Sequence, residues 1–250
     1  MKSISLRTVL LMLLSMWTVC AIAQQVPSNT VLPIMLSSTL DARHDKPGQR
    51  VSGKLMQDVP LPDGQTIPRG AKVLGHIVSA RPASAGAPSQ LALKFDQVEF
   101  KGKRISITSH LRALASMNEV YEARMPTNAW DDYGTSPSDW NTVQIGGAGV
   151  YRGNGEVVSD GQVVGRATDY GAVTARLIAA PDRGCAGAGE REQALWKFSP
   201  SACGTYGLPG VKVVRSDEAQ QGAGEIVLQS DRDLQIQGGS GWLLKVDSSG

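Results

Sequence analysis

The chain has 250 residues, of which 41% are hydrophobic, 19% charged and 5% aromatic, with 28 Gly and 13 Pro. That apolar share suffices for a buried core, while the many turn-formers exclude a coiled coil or helical bundle and favour strands joined by turns. The formal charge of +2 comes without a basic run, which argues against nucleic-acid binding, where phosphates must be neutralised.

Lys2 and Arg7 precede an apolar run from Val9 to Trp17, and Ala21-Ile22-Ala23 places small residues just before Gln24. These are the three parts of a secretory signal peptide. The apolar run is too short for a spanning helix, which needs about 20 such residues. Lipoprotein processing wants a small residue before the cysteine, and Val19 stands before Cys20. The sequence therefore predicts cleavage between Ala23 and Gln24, with residues 1–23 removed. The product is expected in the periplasm or cell envelope, or secreted, with no membrane span after cleavage. Loss of Lys2 and Arg7 leaves 23 basic residues against 23 acidic ones.

Residues 24–117 read as the first part of a barrel. Leu32, Ile34 and Leu36 alternate with Pro33, Met35 and Ser37, the pattern of an edge or half-buried strand. Pro47-Gly48 marks a turn, Val51–Val59 a second extended run, and Pro60-Leu61-Pro62-Asp63-Gly64 a dense turn. Val73–Val78 is a short strand. Leu91, Leu93 and Phe95 point one way, and Val98 with Phe100 resumes the alternation after a one-residue slip, which predicts a bulge. Lys101-Gly102-Lys103 is a hairpin turn into Ile105 and Ile107. Leu111, Leu114, Ala115, Val120 and Tyr121 have helical spacing up to Met125-Pro126, which predicts one short helix.

Composition changes after Pro126: all seven Met lie at or before 125, and 21 of the 28 Gly fall between 131 and 250. Residues 118–206 are read as a Gly- and Trp-rich insertion, with Trp130, Trp140 and Trp196 as candidate interface residues. With Cys20 removed, Cys185 and Cys203 are the two remaining cysteines. In an exported protein they predict a disulfide closing the insertion. A nucleophilic cysteine would need a base, and no histidine lies within 70 residues of either. From Val211 the strand pattern returns through Ile226, Leu228, Leu234, Ile236, Trp242, Leu244 and Val246, so residues 207–250 are read as the closing strands.

Val31-Leu32-Pro33-Ile34-Met35-Leu36, Pro47-Gly48-Gln49, Gln57-Asp58-Val59 and Ile67-Pro68-Arg69-Gly70-Ala71-Lys72-Val73-Leu74-Gly75 follow one another in an order that resembles the periplasmic β-barrel module of the TrbI-like family. Phe95–Ile107 and the closing strand through Val246 fit the same module. The resemblance implies a β-barrel and a role among the outer-ring components of conjugation and type IV secretion machines. Residues 118–206 have no counterpart in it.

Candidate chemistry is sparse. His44, His76 and His110 show no paired metal-ligand spacing. Gly147-Ala148-Gly149 is followed by Arg152-Gly153-Asn154-Gly155, another turn where a dinucleotide loop needs a helix start. Asp131, Asp132 and Asp139 sit among Trp130, Tyr133 and Trp140, a combination also used by sugar-binding clefts. The reading is an all-β, mainly antiparallel barrel-like protein, with no catalytic set, metal or cofactor assigned. Its expected role is a non-catalytic envelope interaction or assembly module, binding an envelope protein or itself; carbohydrate binding by the insertion is the alternative. Intact mass of the exported protein is expected to place its first residue at Gln24, and a membrane-bound species retaining residues 1–23 would refute the signal peptide.

Overall fold

The computed structural model describes residues 25–125, 139–152, 154–168, 171–187, 189–214 and 222–247. The expected cleavage site at Ala23 and Gln24, and Trp130 with Asp131 and Asp132, lie outside them. Strands β1 (Val31–Leu36), β2 (Leu40–Asp41), β3 (Arg50–Leu55), β4 (Val59–Pro60), β5 (Thr66–Ile67), β6 (Lys72–Arg81), β7 (Ser89–Phe100), β8 (Lys103–Ser106) and β9 (Ser109–Ala115) lead into helix α1 (Met117–Arg124). Six strands follow: β10 (Asp139–Gln144), β11 (Gly147–Arg152), β12 (Glu156–Ser159), β13 (Gln162–Ala167), β14 (Val173–Arg176) and β15 (Glu192–Ala194). The chain ends with β16 (Gly204–Tyr206), β17 (Val211–Val214), β18 (Ile226–Ser230), β19 (Gln235–Ile236) and β20 (Gly241–Val246).

Ten strands make the first sheet, in the order β16-β9-β20-β1-β3-β6-β7-β18-β17 with β8 added beside β7. Its pairings are antiparallel except that of β16 with β9. The sheet curls until its end strands meet, where Thr205 Oγ1 of β16 donates to the Val211 carbonyl of β17 at 3.2 Å. The result is a nearly closed barrel. Its interior holds Leu32, Ile34, Val51, Val73, Leu93, Phe95, Leu228, Trp242 and Leu244. Phe95 and Trp242 meet edge to face at 5.7 Å, a favoured aromatic geometry, and the Trp242 indole donates to Ser240 Oγ at 2.9 Å.

The one-residue slip after Phe95 is a bulge. Leu74 pairs with Gln97 and Gly75 with Phe95, so Asp96 has no opposite number. The β7–β8 hairpin turns on Lys101 and Gly102, both at positive φ (50° and 72°) as a two-residue turn requires.

Two expectations need correction. Leu111–Ala115 is strand, not helix; α1 starts only after Ser116, whose side chain accepts from the Glu119 N–H at 3.2 Å. β1 is not an edge strand, since β20 lies on one side and β3 on the other. Pro33 is tolerated there because its missing N–H falls just beyond the β3 ladder, where its carbonyl accepts from Met56 at 2.9 Å.

β10 to β15 form a second sheet, an antiparallel meander in chain order. Gly147–Arg152 is thus a strand, paired with β10, where a nucleotide loop had been considered. β16 already belongs to the barrel, so the barrel resumes at Gly204. A second apolar core joins Val31, Ala113, Ala115 and Leu243 of the barrel wall to Val157, Val173, Leu195 and Phe198. The meander therefore lies against the outside of β9, β20 and β1. A Cβ on Gly75 would stand 1.8 Å from the Lys94 carbonyl oxygen, at the bulge. Gly75→Ala is expected to cost about 2–3 kcal/mol, as overpacked sites do, measured by urea unfolding; wild-type stability would contradict this close approach.

Candidate functional site

The two layers are held together by apolar contact and by three buried polar links. Gln193 Oε1 of β15 accepts from the Val31 N–H of β1 at 3.1 Å. Gln57 Oε1, after β3, accepts from the Trp196 N–H. Arg112 of β9 donates to the Ile178 carbonyl at 2.6 Å and to that of Pro200 at 3.4 Å. Arg112 is buried, and its Nε has no partner among the described residues. Burial pushes its guanidinium below the ordinary arginine pKa, with nearby Tyr206 opposing the shift.

Cys185 and Cys203 are bonded, with Cα atoms 5.9 Å apart. Cys185 follows the 3₁₀ turn Pro181–Arg183, and Cys203 directly precedes β16. The bond thus fastens a loop of the second layer to the strand that closes the barrel. Arg183 reinforces the corner: its guanidinium lies 4.4 Å from the Tyr206 ring centroid and donates to the Tyr206 hydroxyl at 2.9 Å.

Two clefts flank this junction. The first, of about 600 Å³, lies between the segment after β3 and the second layer, and is lined by Gln57, Asp58, Arg69, Arg124, Thr174, Trp196 and Lys197. Trp196 forms part of its wall at φ 55°, a left-handed conformation that costs a bulky side chain free energy. The Gln57 bond and burial in the second core hold it there. The Arg124 guanidinium lies 5.9 Å from its ring centroid.

The second cleft, of about 890 Å³, follows the seam of the barrel below the β16–β17 contact. Its walls are the first half of β9, the strand β17 and residues 222–226, with Lys212, Lys245 and the disulfide at its border. Among the described residues, Val211–Val213 of β17 pair with β18, and Ser109–Leu111 of β9 pair with β20, with Arg112 skipped at a bulge. Among the described residues no strand lies between these two edges across the cleft. His110 and Asp247 close one side, Nδ1 to Oδ1 at 2.5 Å.

Of the three candidate tryptophans, Trp196 is only 6% exposed, so it is part of the inter-layer core and not a displayed anchor. The reason is that its turn is pressed between barrel and meander. Trp140 falls within β10 by its backbone. The three histidines stay apart, each beside its own carboxylate: His44 with Asp41 at 3.1 Å, His76 with Asp96 at 2.9 Å, and His110 with Asp247. Among the described residues no group of three or more His, Cys, Asp or Glu could hold a metal ion. Arg112, Gln57, Lys197 and Arg124 were not legible as site residues; a polar residue within an apolar strand run, as at Arg112, is the one signal that could have flagged any of them.

By its fold the chain is an all-β protein, a nearly closed barrel carrying a second β-layer. No family model matches it, and no curated protein does. Thiol titration of the denatured, unreduced protein is expected to find Cys185 and Cys203 unlabelled. The Cys185→Ser/Cys203→Ser variant is expected to lose about 3 kcal/mol of stability, the chain-entropy value for a loop of this size. Two titratable thiols, or an unchanged stability, would show that the bond does not brace the junction.

Proposed function

We propose that this protein is an exported, non-catalytic interaction or assembly module of the cell envelope, engaging a protein partner or a second copy along the barrel seam. The observation that carries the reading is the seam itself. Unpaired strand edges attract an added strand, and natural barrels abolish them by closing. Here closure stops after the short β16, and the rest of the seam is a cleft about 890 Å³ in volume. The disulfide and the Arg183–Tyr206 contact fasten one wall, so the cleft is pre-formed and the ordering cost of binding is reduced. The resemblance of the barrel segments to ring components of secretion machines is consistent with such a role. No helix of the described residues is long and apolar enough to cross a membrane.

The carbohydrate alternative rests on Trp130, Tyr133 and Trp140 with Asp131, Asp132 and Asp139, whose side chains lie outside the described residues. A photo-crosslinking residue placed at Lys212 or Lys245, both on the seam, is expected to give a discrete adduct in intact cells, identified by mass spectrometry as an envelope protein or a second copy. The same residue at Lys101, on the β7–β8 turn, serves as the control. No adduct from the seam, or an equal one from Lys101, overturns the proposal.

A further inference from the structure

The cleft at Trp196 shows a charge arrangement that the seam reading leaves unused. Lys197 is half-buried, and burial alone lowers its pKa below the ordinary lysine value. Among the described residues it has no carboxylate or hydrogen-bond partner. A partly desolvated ammonium without a counter-charge is costly, and proteins seldom keep one without a use. Arg124 lines the same space from the last turn of α1, beside the Trp196 ring. Its guanidinium can take a carboxylate in a two-pronged fashion that an ammonium cannot.

The lining also holds a third cation, Arg69, and is otherwise neutral or acidic and rich in hydrogen-bonding groups. Thr66, Thr168 and Thr174 add hydroxyls, that of Thr174 also lying 3.5 Å from Glu192 Oε2, and the Trp196 ring forms part of the wall. Asp58 is the one carboxylate in this lining, and its Oδ1 accepts from the Arg69 N–H at 2.6 Å. A bare inorganic anion would need the cations alone and would leave most of these groups to water. The volume of about 600 Å³ also exceeds such an ion and falls within the range of small-molecule sites. A ligand carrying one anionic group on a frame of hydroxyls would use the whole set.

From this juxtaposition of Lys197 with Arg69, Arg124, the threonine hydroxyls and the Trp196 ring, we infer a binding site for an acidic saccharide, a sugar bearing a carboxylate. Its carboxylate sits between Lys197 and Arg124, and its hydroxyls meet the threonines and Asp58. The site shares no lining residue with the seam cleft, so it does not depend on the protein partner proposed there.

The test is titration calorimetry of the mature protein with glucuronate oligosaccharides, their neutral glucose counterparts and inorganic phosphate. The acidic oligosaccharide is expected to bind at least tenfold more tightly than the neutral one and than phosphate. Lys197→Met keeps the aliphatic stem and is expected to weaken that binding at least tenfold. The same variant is expected to melt at or above the wild-type temperature without ligand, because it removes a desolvated charge; a fall in melting temperature would mean that Lys197 is needed for structure and would count against the site. Arg124→Gln, on the helix surface, is a second variant with the same expected loss. No binding of the acidic saccharide overturns the inference, as does equal binding of the neutral sugar or of phosphate. Binding unchanged in both variants would do so as well. Seam crosslinking unaffected by Lys197→Met would keep the two sites distinct.

Discussion

Strands β1 and β20 and the second half of β9 bury both of their faces, and the arrangement of the molecule depends on that. On the inner face Leu32, Ile34, Trp242, Leu244 and Leu114 fill the barrel. On the outer face Val31, Leu243, Ala113 and Ala115 meet the second layer. A strand exposed on its outer side would alternate apolar and polar residues, as β3 does with buried Val51, Gly53 and Leu55 between Arg50, Ser52 and Lys54. The doubly buried strands cannot, and they read Val-Leu-Pro-Ile-Met-Leu and Gly-Trp-Leu-Leu-Lys-Val. Without the β10–β15 layer, the outer face of this wall would be an exposed apolar patch of the kind that soluble proteins cover.

Burying that wall creates an electrostatic cost that the structure meets in different ways. Arg112 enters the interface with two carbonyls as acceptors of its Nη2, without a carboxylate, while its Nε has no partner among the described residues. Gln57 and Gln193 answer main-chain N–H groups that the layer contact would otherwise strand. Lys197, at the margin of the same interface, has no such answer among the described residues. A buried neutral amide can be satisfied by one well-placed acceptor, whereas a charge needs a counter-charge or water.

Closure of the barrel depends on short-range geometry at one corner. β16 is three residues long and runs parallel to β9, an exception in an otherwise antiparallel sheet. Such a strand has little ladder of its own, and the Cys185–Cys203 bond beside it limits how far it can move. The corner closes the barrel near Thr205 and Val211 while the strands below it diverge, leaving the seam. One short strand thus decides between a sealed barrel and one with a groove.

Much of the barrel was legible from local pattern. The bulge at Asp96 followed from the slip between Phe95 and Val98, because side chains alternate with a period of two and an extra residue must show as a break. The Lys101-Gly102 turn, the paired cysteines and the all-β class likewise follow from chemistry confined to a few residues or to composition. Leu111–Ala115 was misread as helix for a physical reason: its second half, Ala113-Leu114-Ala115, is buried on both faces and lacks polar alternation, so the strand period of two does not show. Pro33 suggested an edge, since nothing local says that the neighbouring ladder ends one residue away. The sites were illegible for the same reason at longer range. Trp196 lies 139 residues from the Gln57 side chain that holds its N–H, and Arg112 lies 66 from the Ile178 carbonyl it meets. Composition, turn chemistry and alternation determined that this chain forms strands and a disulfide; which strands are covered twice, and which charges are left facing a cleft, was decided by the packing of one sheet on the other.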